Sequence, residues 1–437
     1  MSTSTLPRRA FVARLFSAAA LAGAATALSA PAFAAGAAVH TRDREPQHRP
    51  VNAVVHWNGI AAGAFEPTQG TNPMAQSRTL AILHAAIHDA LNQIERRYAP
   101  YTPGLPTAPH ASPQAAVAAA AREVLVRLLP EQAALVETAF GRAMQSVPNG
   151  PARTAGLAIG QTAAWATMER RRADGADAAA QPAYVPGAGA GEYQFTAPFM
   201  FAAQPGWGRV TPFVVDLREH ALEGPLPLGG ARYARELADI RALGRIDSTT
   251  RTAEQSEIAT FWYEDSPLGW NRIAADVVRQ RGLDEWEAAR AFALVHFAMA
   301  DGFIAGFAEK YRHRFWRPVT AIQRAADDGN PRTEPDASWQ PLLLTPPVPD
   351  YPSTHTVLGW AAAEVLTDLF GDKQRYSLTS LTLPGVTRHY RGFSQAAEEN
   401  GMSRLYAGIH FRHAVEAGRR QGRSVGRAVA AALAPAH

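Results

Sequence analysis

The sequence predicts an all-α fold, a helical bundle with long connecting loops. Apolar residues recur at helical spacing along most of the chain, and many of these stretches are rich in alanine. Convincing runs of alternating apolar and polar residues, which would indicate strands, are absent. The chain has 437 residues, enough for one large domain or two ordinary ones. Because no linker or internal repeat divides it, we predict a single α-helical catalytic domain over residues 53–437.

The N-terminal residues have the pattern of an export signal. A basic start, an apolar middle and a small-x-small end before Ala35 predict a secretory signal peptide over residues 1–34. The pair Arg8 and Arg9 favours a signal of the twin-arginine type over an ordinary secretory signal. Residues 35–52 are polar and contain prolines, so we expect a flexible arm there. The sequence therefore predicts an exported protein, either periplasmic or secreted.

Helical spacing then continues, with interruptions, to the end of the chain. The predicted helices cover residues 76–94, 113–145 with a break at Pro130, 152–174, 229–243, 253–263, 268–281, 283–316, 354–371, 394–407 and 411–433. One long connection, residues 175–228, is rich in glycine, proline and aromatic residues. Long loops of this kind often carry function, so we expect it to shape a site entrance or a subunit contact. No internal apolar stretch is expected to be long enough to cross a bilayer.

Composition excludes several classes of function. The chain contains no cysteine, which excludes disulfides, thiolate metal ligands and a cysteine nucleophile. Its net charge is +4, and removal of residues 1–34, which hold three arginines and no acidic residue, lowers the charge to +1. That charge is too small to indicate a nucleic-acid binder. Lysine occurs at two positions, Lys310 and Lys373, so each lysine invites an explanation.

Lys310 and Arg317 form the first of three polar motifs. They are seven residues apart, so on one helix they would lie on nearly the same face, about 10 Å apart along the axis. Long side chains can converge from that separation. Pro318 disfavours helical backbone at Arg317, so we expect the helix to end there.

The second motif is Pro352-Ser353-Thr354-His355, at the start of an apolar helix. Ser353 is a suitable N-cap residue for that helix. The first turn of a helix offers unpaired N–H groups and a partial positive charge, which together attract an anion. The motif therefore predicts an anion site at this turn.

The third motif contains Arg404 and His410, with Gly408 predicting a break that leaves His410 at the start of the last helix. Together the three motifs supply a lysine, two arginines, a hydroxyl, backbone N–H groups and two histidines. That many donors and positive charges fit a tetrahedral oxyanion, phosphate or vanadate. We see no carboxylate in the motifs that would hold a hard cation such as Mg²⁺ or Ca²⁺.

The order and spacing of these motifs resemble a known three-part signature. Lys310-x6-Arg317-Pro318, Pro352-Ser353-Thr354-His355 and Ser403-Arg404-x5-His410 are similar to the signature shared by vanadium-dependent haloperoxidases and type 2 phosphatidic acid phosphatases. The stretches FWRPVTAI and SRLYAGIHFR look closer to the soluble bacterial haloperoxidase branch than to the membrane lipid phosphatases. The resemblance implies a helical bundle of the haloperoxidase/acid phosphatase type, with its site within residues 310–410.

The resemblance also implies a role for each matching residue. The residues that would bind the oxyanion are Lys310, Arg317, Ser353, Thr354 through its backbone N–H, Arg404 and His410. His410 would be the axial ligand of the vanadium in vanadate, or the phosphorylated nucleophile of a phosphatase. His355 would be the general acid–base that assists deprotonation of hydrogen peroxide or protonates a leaving alcohol.

Three functions are compatible with this site. The first is a vanadium-dependent haloperoxidase-like enzyme, a peroxidase that uses vanadate and hydrogen peroxide to oxidise a halide. The second is an exported acid phosphatase that acts on a small phosphoester through a phosphohistidine, with phosphate in the same site. The third is a phosphate-binding protein without turnover.

The chain departs from the family pattern at three positions. Thr354 stands where the family usually has glycine, and its β-carbon can narrow the approach to the oxyanion. Ala414 replaces an aspartate that often follows the axial histidine by four residues, so Glu416 or a backbone carbonyl would have to support His410. Val348 replaces an aromatic residue of the chloroperoxidase type, which puts chloride oxidation in doubt more than oxyanion binding.

Other histidines have simpler interpretations. His84 and His88 have a spacing that can bind a metal, but we favour a packed, hydrogen-bonded helix. His313 and His413 are expected at the rim of the site or on the surface.

Three residues near the first motif also need an interpretation. We expect Phe315 and Trp316 in the core rather than in a halide pocket. Asp301 either orients a basic residue of the site or forms an ordinary intrahelical pair.

Overall fold

The computed structural model describes residues 52–68, 72–177 and 183–436, and it confirms the all-α fold. The residues of the predicted signal peptide, and those of the predicted arm up to residue 51, lie outside the described ranges. Within them the α-helices are α1 (Ala53–Phe65), α2 (Pro73–Ile94), α3 (Pro113–Leu128), α4 (Ala133–Gln145), α5 (Pro151–Arg170), α6 (Ala231–Leu243), α7 (Ala253–Phe261), α8 (Ser266–Arg281), α9 (Glu285–His313), α10 (Pro318–Gln323), α11 (Thr354–Phe370), α12 (Phe393–Tyr406) and α13 (Arg412–Ala430).

Two of these helices, α1 and α10, were not predicted from the sequence. Helix α1 exposes Gly59 and Gly63 rather than charged side chains, so its polar face gives little contrast with its buried face. Its N-cap is clear, because the Asn52 side chain accepts hydrogen bonds from the backbone N–H groups of residues 54 and 55. Helix α10 has only six residues, too few for a periodic pattern.

A β-hairpin also went unpredicted. Strands β1 (Tyr376–Thr379) and β2 (Thr387–Tyr390) pair antiparallel, with Tyr376 opposite Tyr390. Each strand has four residues, which is too short for alternation to stand out from chance. The ring of Tyr376 stacks on Phe393 of α12, so the hairpin closes over the start of that helix.

Helix α9 is the central element of the fold. A capping box between Asp284 and Glu287 starts it, and Arg314, in left-handed conformation with φ 48°, ends it. The helix therefore ends at His313, four residues before the predicted end at Arg317, and Pro318 instead occupies the first position of α10. Helix α9 packs against α2 on one side and against α11 and α13 on the other.

The expectation about membrane-spanning length was wrong for α9. Among the described residues, this helix is long and apolar enough to cross a bilayer by length and composition. Its apolar stretch is, however, 94% buried inside the protein. A helix at the centre of a large core has the same composition, because it is surrounded by other helices on every side.

Glycines on α13 bring that helix close to α11. A β-carbon at Gly418 would lie 2.5 Å from the carbonyl oxygen of Ser353, and one at Gly422 would lie 2.3 Å from that of Val357. No larger residue fits this approach. It allows the backbone N–H of Ser353 to donate a 2.9 Å hydrogen bond to the Ala414 carbonyl, which fixes α11 against α13 at the second motif.

The long connection before α6 is held against α9 by buried carboxylates. Asp301 accepts hydrogen bonds from three consecutive backbone N–H groups, those of Phe213 (2.6 Å), Val214 (2.8 Å) and Val215 (3.1 Å). Glu309 accepts another from the backbone of Leu222. Asp301 thus adopts neither of its two expected roles, since it anchors a loop that lies 86 or more residues away in sequence.

The two histidines of α2 are packed and hydrogen-bonded. His84 Nε2 lies 2.9 Å from Asn58 Oδ1, and its ring stacks on that of His296 with the centroids 4.9 Å apart. His88 Nε2 lies 3.0 Å from the Ala99 carbonyl oxygen. In the described part of the chain, no group of three or more histidine, aspartate or glutamate residues is arranged to hold a metal ion.

Candidate active site

The three motifs meet around the turn that precedes α11. Lys310 lies near the end of α9, Arg317 between α9 and α10, and Arg404 near the end of α12. His410 lies in the connection from α12 to α13. Both Lys310 and Arg317 are completely buried, and Arg404 and His410 nearly so. The predicted residues are therefore brought together inside the protein, although they come from four separate elements.

Lys310 clamps the turn rather than facing the site with free donors. Its Nζ donates to the carbonyl oxygens of Pro349 (2.7 Å), Asp350 (3.0 Å) and Pro352 (2.6 Å). An ammonium group has three N–H donors, so the turn uses all of them. Burial, and then the neighbouring Arg317, lower the pKa of Lys310 well below its usual value, while Asp350 opposes that effect. Because the three carbonyl oxygens need all three N–H donors of an ammonium group, Lys310 is held protonated and supplies positive charge and rigidity to the site.

Arg317 connects the turn to the third motif. Its Nε donates to the Val348 carbonyl oxygen (2.7 Å), and its Nη1 lies 2.7 Å from the Ile409 carbonyl oxygen and 3.0 Å from His410 Nε2. The remaining nitrogen, Nη2, is buried and has no hydrogen-bond partner among the described residues. Burial lowers the pKa of Arg317, but an arginine remains charged. A buried guanidinium with an unused N–H pair requires an acceptor.

His410 lies between a cation and a carboxylate. Because arginine can only donate, the contact with Arg317 makes His410 Nε2 the acceptor and leaves the ring proton on Nδ1. Nδ1 lies 2.9 Å from Asp350 Oδ1. Burial, followed by Arg317, Lys310, Arg404 and His355, lowers the pKa of His410 well below its usual value. The ring is therefore neutral, with Nε2 unprotonated and its lone pair accepting the hydrogen bond from Arg317.

Asp350 is a site residue that our sequence interpretation missed. It stands in the second motif region, but no pattern distinguishes it from an ordinary loop aspartate. Burial raises its pKa to about 6, against the lowering effects of Arg317 and Lys310. We expected Glu416 or a backbone carbonyl to support His410 in place of the aspartate missing at Ala414. The expectation for Glu416 was wrong, because Glu416 pairs with Arg232 instead.

The start of α11 presents its unpaired N–H groups as predicted. Ser353 is the N-cap residue, but its side chain makes no capping bond and instead accepts a 2.9 Å hydrogen bond from Thr356 Oγ1. Its hydroxyl hydrogen therefore remains available to an anion. The methyl group of Thr354 is directed at Gly306 of α9, where an added β-carbon would lie 2.4 Å from it. Gly306 thus provides the space that Thr354 needs at a position where the family usually has glycine.

His355 is held by a serine from another helix. Its Nδ1 lies 2.5 Å from the hydroxyl oxygen of Ser266, the first residue of α8. Its Nε2 is buried and has no hydrogen-bond partner among the described residues. Burial, and then Arg404, lower the pKa of His355 well below its usual value. His355 is therefore a neutral imidazole with a free ring nitrogen, a combination suited to proton transfer.

Arg404 completes the ring of charges. Its Nε donates to Ser403 Oγ (3.0 Å) and its Nη2 to the Trp262 carbonyl oxygen (2.5 Å). The guanidinium lies over the ring of Tyr263, 5.6 Å from the centroid. Burial lowers the pKa of Arg404 to about 10, so it stays charged at neutral pH.

The other residues singled out from the sequence are structural. Phe315 and Trp316 are buried in a hydrophobic cluster, as expected. His413 is buried against Glu236, with Nδ1 2.7 Å from the carboxylate, so the rim or surface position predicted for it was wrong. His313 is partly buried and lies 3.2 Å from Glu309. Val348 is buried at the base of the turn.

The donor set fits an oxyanion. Three buried cations, Lys310, Arg317 and Arg404, are accompanied by one buried carboxylate, Asp350, which leaves an excess of positive charge. Arg317 Nη2 and the first turn of α11 offer unused N–H groups beside His410. A phosphate or vanadate ion would satisfy both the charge and the donors, with His410 Nε2 as the ring nitrogen that can ligate vanadium.

The known proteins to which this chain is similar are vanadium haloperoxidases. Residues 290–435 match the family described as the second helical-bundle domain of VCPO. The chain is 25% identical to vanadium chloroperoxidase of Curvularia inaequalis, over 86% of this chain and 81% of that protein.

Solved structures give the same answer. A bacterial vanadium-dependent iodoperoxidase superposes with a TM-score of 0.75 at 27% identity, covering 88% of this chain and 95% of that one. A holo-type bacterial vanadium-dependent chloroperoxidase, at 17% identity and a TM-score of 0.67, covers 82% of this chain and 91% of that one, and shares the fold. The chain is therefore similar in sequence and in fold to vanadium-dependent haloperoxidases.

Proposed function

We propose that this protein is a vanadium-dependent haloperoxidase, which uses hydrogen peroxide to oxidise a halide ion. The observation that carries the proposal is the convergence of Lys310, Arg317 and Arg404 around the Nε2 lone pair of His410, inside the protein. Relatives with this fold are vanadium chloroperoxidases and an iodoperoxidase. Bound vanadate would supply the Lewis acidity that makes peroxide electrophilic toward a halide.

The protein's own residues bind and orient the oxyanion. Arg317 and Arg404 supply charge and N–H donors, and Lys310 supplies charge while its N–H groups hold the turn. The Ser353 hydroxyl and the N–H of Thr354 contribute donors from the N-terminus of α11. His410 Nε2 would be the protein ligand to vanadium. Because these groups are buried and their side chains are held by packing and hydrogen bonds, the site is preorganised for a tetrahedral oxyanion.

His355 moves protons. Its free Nε2 would accept a proton from hydrogen peroxide as the peroxide enters the site, and would return it to a leaving oxygen. The low pKa of His355 keeps this nitrogen unprotonated at neutral pH, so the base is ready without a preceding deprotonation. Burial around it would also exclude bulk water from the transfer.

Phosphate has the charge and shape of vanadate and would compete for the same donors. A phosphoester would enter the same site in the phosphatase alternative, with His410 as the nucleophile. The two activities therefore need a direct comparison, because binding of the anion does not separate them.

The experiment compares both activities in one preparation. Protein freed of bound anions would be incubated with orthovanadate and assayed for peroxide-dependent oxidation of iodide and bromide, and for hydrolysis of a chromogenic phosphate monoester. We expect halide oxidation that requires vanadate, is inhibited by phosphate and is abolished in His410→Ala. Phosphate ester hydrolysis that vanadate inhibits, without halide oxidation, would instead establish the phosphatase.

We also propose that residues 1–34 direct export through the twin-arginine route, which carries folded proteins. Replacement of Arg8 and Arg9 by lysine should retain the full-length precursor inside the cell. Normal export of that variant would indicate an ordinary secretory signal.

A further inference from the structure

The contact between Asp350 and His410 has a function of its own. Asp350 Oδ1 lies 2.9 Å from His410 Nδ1 and 3.9 Å from Arg317 Nη1, so the carboxylate is much closer to the imidazole than to the guanidinium. The backbone N–H of Phe411 also faces this carboxylate. Nδ1 and Oδ1 are at hydrogen-bond distance but are not aligned as a hydrogen bond, so one of the two side chains must rotate to complete it.

Both the N–H and the carbonyl group of Asp350 are held by hydrogen bonds. Its N–H donates to the Phe315 carbonyl oxygen (2.9 Å), and its own carbonyl oxygen accepts from Lys310 Nζ (3.0 Å). The carboxylate therefore extends from a rigid turn. That rigidity matters because a positioning group can fix an imidazole only if it is itself fixed.

Other groups near His410 do not provide an acceptor for Nδ1. Ala414, four residues after His410, has no polar side chain, and its carbonyl oxygen accepts from Ser353. Glu416 is 44% exposed and pairs with Arg232. Within the part of the chain that the structure describes, Asp350 is thus the carboxylate placed to accept a hydrogen bond from Nδ1–H.

We propose that Asp350 is a positioning residue for His410: its carboxylate accepts a hydrogen bond from Nδ1–H and so keeps the Nε2 lone pair directed at the oxyanion. The inference rests on the proposed function, because it assumes that His410 Nε2 meets an anion. This role would give His410 a carboxylate partner even though position 414, where such a carboxylate is often found, holds alanine. Outer partners of ligating histidines typically contribute a factor of about 10–100 in affinity.

The test uses substitutions that separate hydrogen bonding from charge. The side chain in Asp350→Asn keeps an oxygen that can accept a hydrogen bond from Nδ1–H. The side chain in Asp350→Leu has a similar shape but no acceptor. The full-length protein, freed of anions, would be titrated calorimetrically with inorganic phosphate and with orthovanadate. Two-bond ¹H–¹⁵N spectra of protein labelled at histidine would report the tautomer of His410, assigned by its loss in His410→Ala.

A matched control is available at Asp89. This carboxylate is also fully buried, and it accepts hydrogen bonds from the backbone N–H groups of Tyr101 (2.7 Å) and Thr102 (2.8 Å). Asp89→Asn removes a buried charge outside the site, so anion affinity and the His410 spectrum should stay as in the wild type.

The expected results differ between the two variants. Asp350→Asn should retain the Nδ1–H tautomer and lose less than about fivefold in anion affinity, whereas Asp350→Leu should lose about 10–100-fold and show a mixed tautomer. Should Asp350→Leu not fold, Asp350→Ala takes its place with the same expectation. Equal losses in the Asn and Leu variants would overturn the inference, because they would mean that charge alone matters. Wild-type protein that binds neither anion would overturn the proposed function as well.

Discussion

The hydroxyl oxygen of Ser266 lies 2.5 Å from Nδ1 of His355, and the two residues are 89 positions apart in the sequence. When Nε2 of His355 acts as a base, Nδ1 carries the ring proton and donates it to this hydroxyl. A serine orients the ring but carries no negative charge to stabilise an imidazolium. Burial, and then Arg404, keep the pKa of His355 well below its usual value, against the raising effect of the Trp262 backbone. The pH dependence of turnover should therefore be set at this contact.

Ser266→Asp should move the acid limb of the pH–rate profile to higher pH. A carboxylate at hydrogen-bond distance favours the protonated imidazole and raises the pKa of His355. Since turnover needs neutral His355, activity would then be lost at a higher pH as the solution is acidified. The measurement is kcat/KM for hydrogen peroxide between pH 4 and 8 in the vanadate-loaded enzyme. Ser266→Ala should lower kcat/KM by about tenfold, less than the 100-fold or more expected for His355→Ala.

The chain contains a matched control for these substitutions. Ser377 Oγ lies 2.8 Å from His389 Nδ1 in the exposed β-hairpin, so the same pair of groups occurs outside the site. Ser377→Ala and Ser377→Asp should leave the profile unchanged. A profile that does not move in Ser266→Asp would show that His355 is not the group whose ionisation limits the rate.

Sequence reasoning located the charged residues because their spacing is local. Lys310 and Arg317, or Ser353 and His355, are a few residues apart, and each motif carries its own helix start or end. Sequence reasoning missed Asp350 and Ser266 because each of them acts through a histidine on another element, His410 and His355 respectively. The 59 residues between Asp350 and His410 contain a helix, a hairpin and another helix, and no local pattern encodes the contact between these two residues.

In the fold, too, features with a local sequence pattern were predicted and features without one were missed. Long helices such as α9 and α11 were predicted because they have many residues over which to repeat a pattern. The four-residue strands β1 and β2, and the six-residue α10, are too short to do so. The end of α9 was also misplaced, since its left-handed residue is Arg314 rather than a glycine that would have marked it.

Arg317→Lys should abolish tight anion binding even though it conserves the charge. The guanidinium uses Nε and Nη1 on the carbonyl oxygens of Val348 and Ile409 while Nη2 remains for the anion, and an ammonium group cannot reproduce that geometry. We expect the Kd for phosphate to rise at least about 30-fold, equivalent to about 2 kcal/mol. Isothermal titration of the anion-free protein measures it.

Arg314→Lys is the control for that substitution. Arg314 lies three residues earlier in the same connection, but it is exposed. Its replacement should leave the Kd for phosphate within about twofold of the wild type. A similar Kd in Arg317→Lys would mean that the fork geometry of Arg317 is dispensable and that charge alone holds the anion.

Gly306→Ala should destabilise the protein because of Thr354. The new β-carbon would lie 2.4 Å from the Thr354 methyl carbon, which is closer than any real contact. Gly302→Ala, on the same helix, would place its β-carbon at an ordinary 3.4 Å from Val357. Both variants gain helix propensity, so their difference isolates the clash, which we expect to cost about 1–3 kcal/mol in the free energy of unfolding.

The double variant Gly306→Ala/Thr354→Ser tests the cause directly. Serine lacks the methyl group that clashes, so the double variant should be more stable than Gly306→Ala alone, by urea unfolding. If Thr354→Ser brought no recovery, the two residues would not be coupled and Gly306 would be needed for another reason.

Acidification should destabilise the fold through the stacked pair His84 and His296. Burial lowers the pKa of His296 to about 3, and burial and then His296 lower that of His84 well below its usual value. An unfolded histidine has a pKa near 6.5, so between that value and the folded pKa the unfolded state binds more protons. Stability is therefore complete above about pH 6.5 and is lost as the pH falls. From pH 7 to pH 5, each of these histidines should remove about 2 kcal/mol from the free energy of unfolding.

Urea unfolding of wild-type protein and of His296→Gln at both pH values measures this contribution. Glutamine does not titrate, so the variant should be less stable at pH 7 but should lose about 2 kcal/mol less than the wild type on acidification to pH 5. His110→Gln is the control, because His110 is exposed and its replacement should leave the difference between the two pH values unchanged. An equal loss in wild type and His296→Gln would mean that the ring of His296 is protonated in the folded protein at pH 5, which its complete burial against His84 and Phe292 opposes.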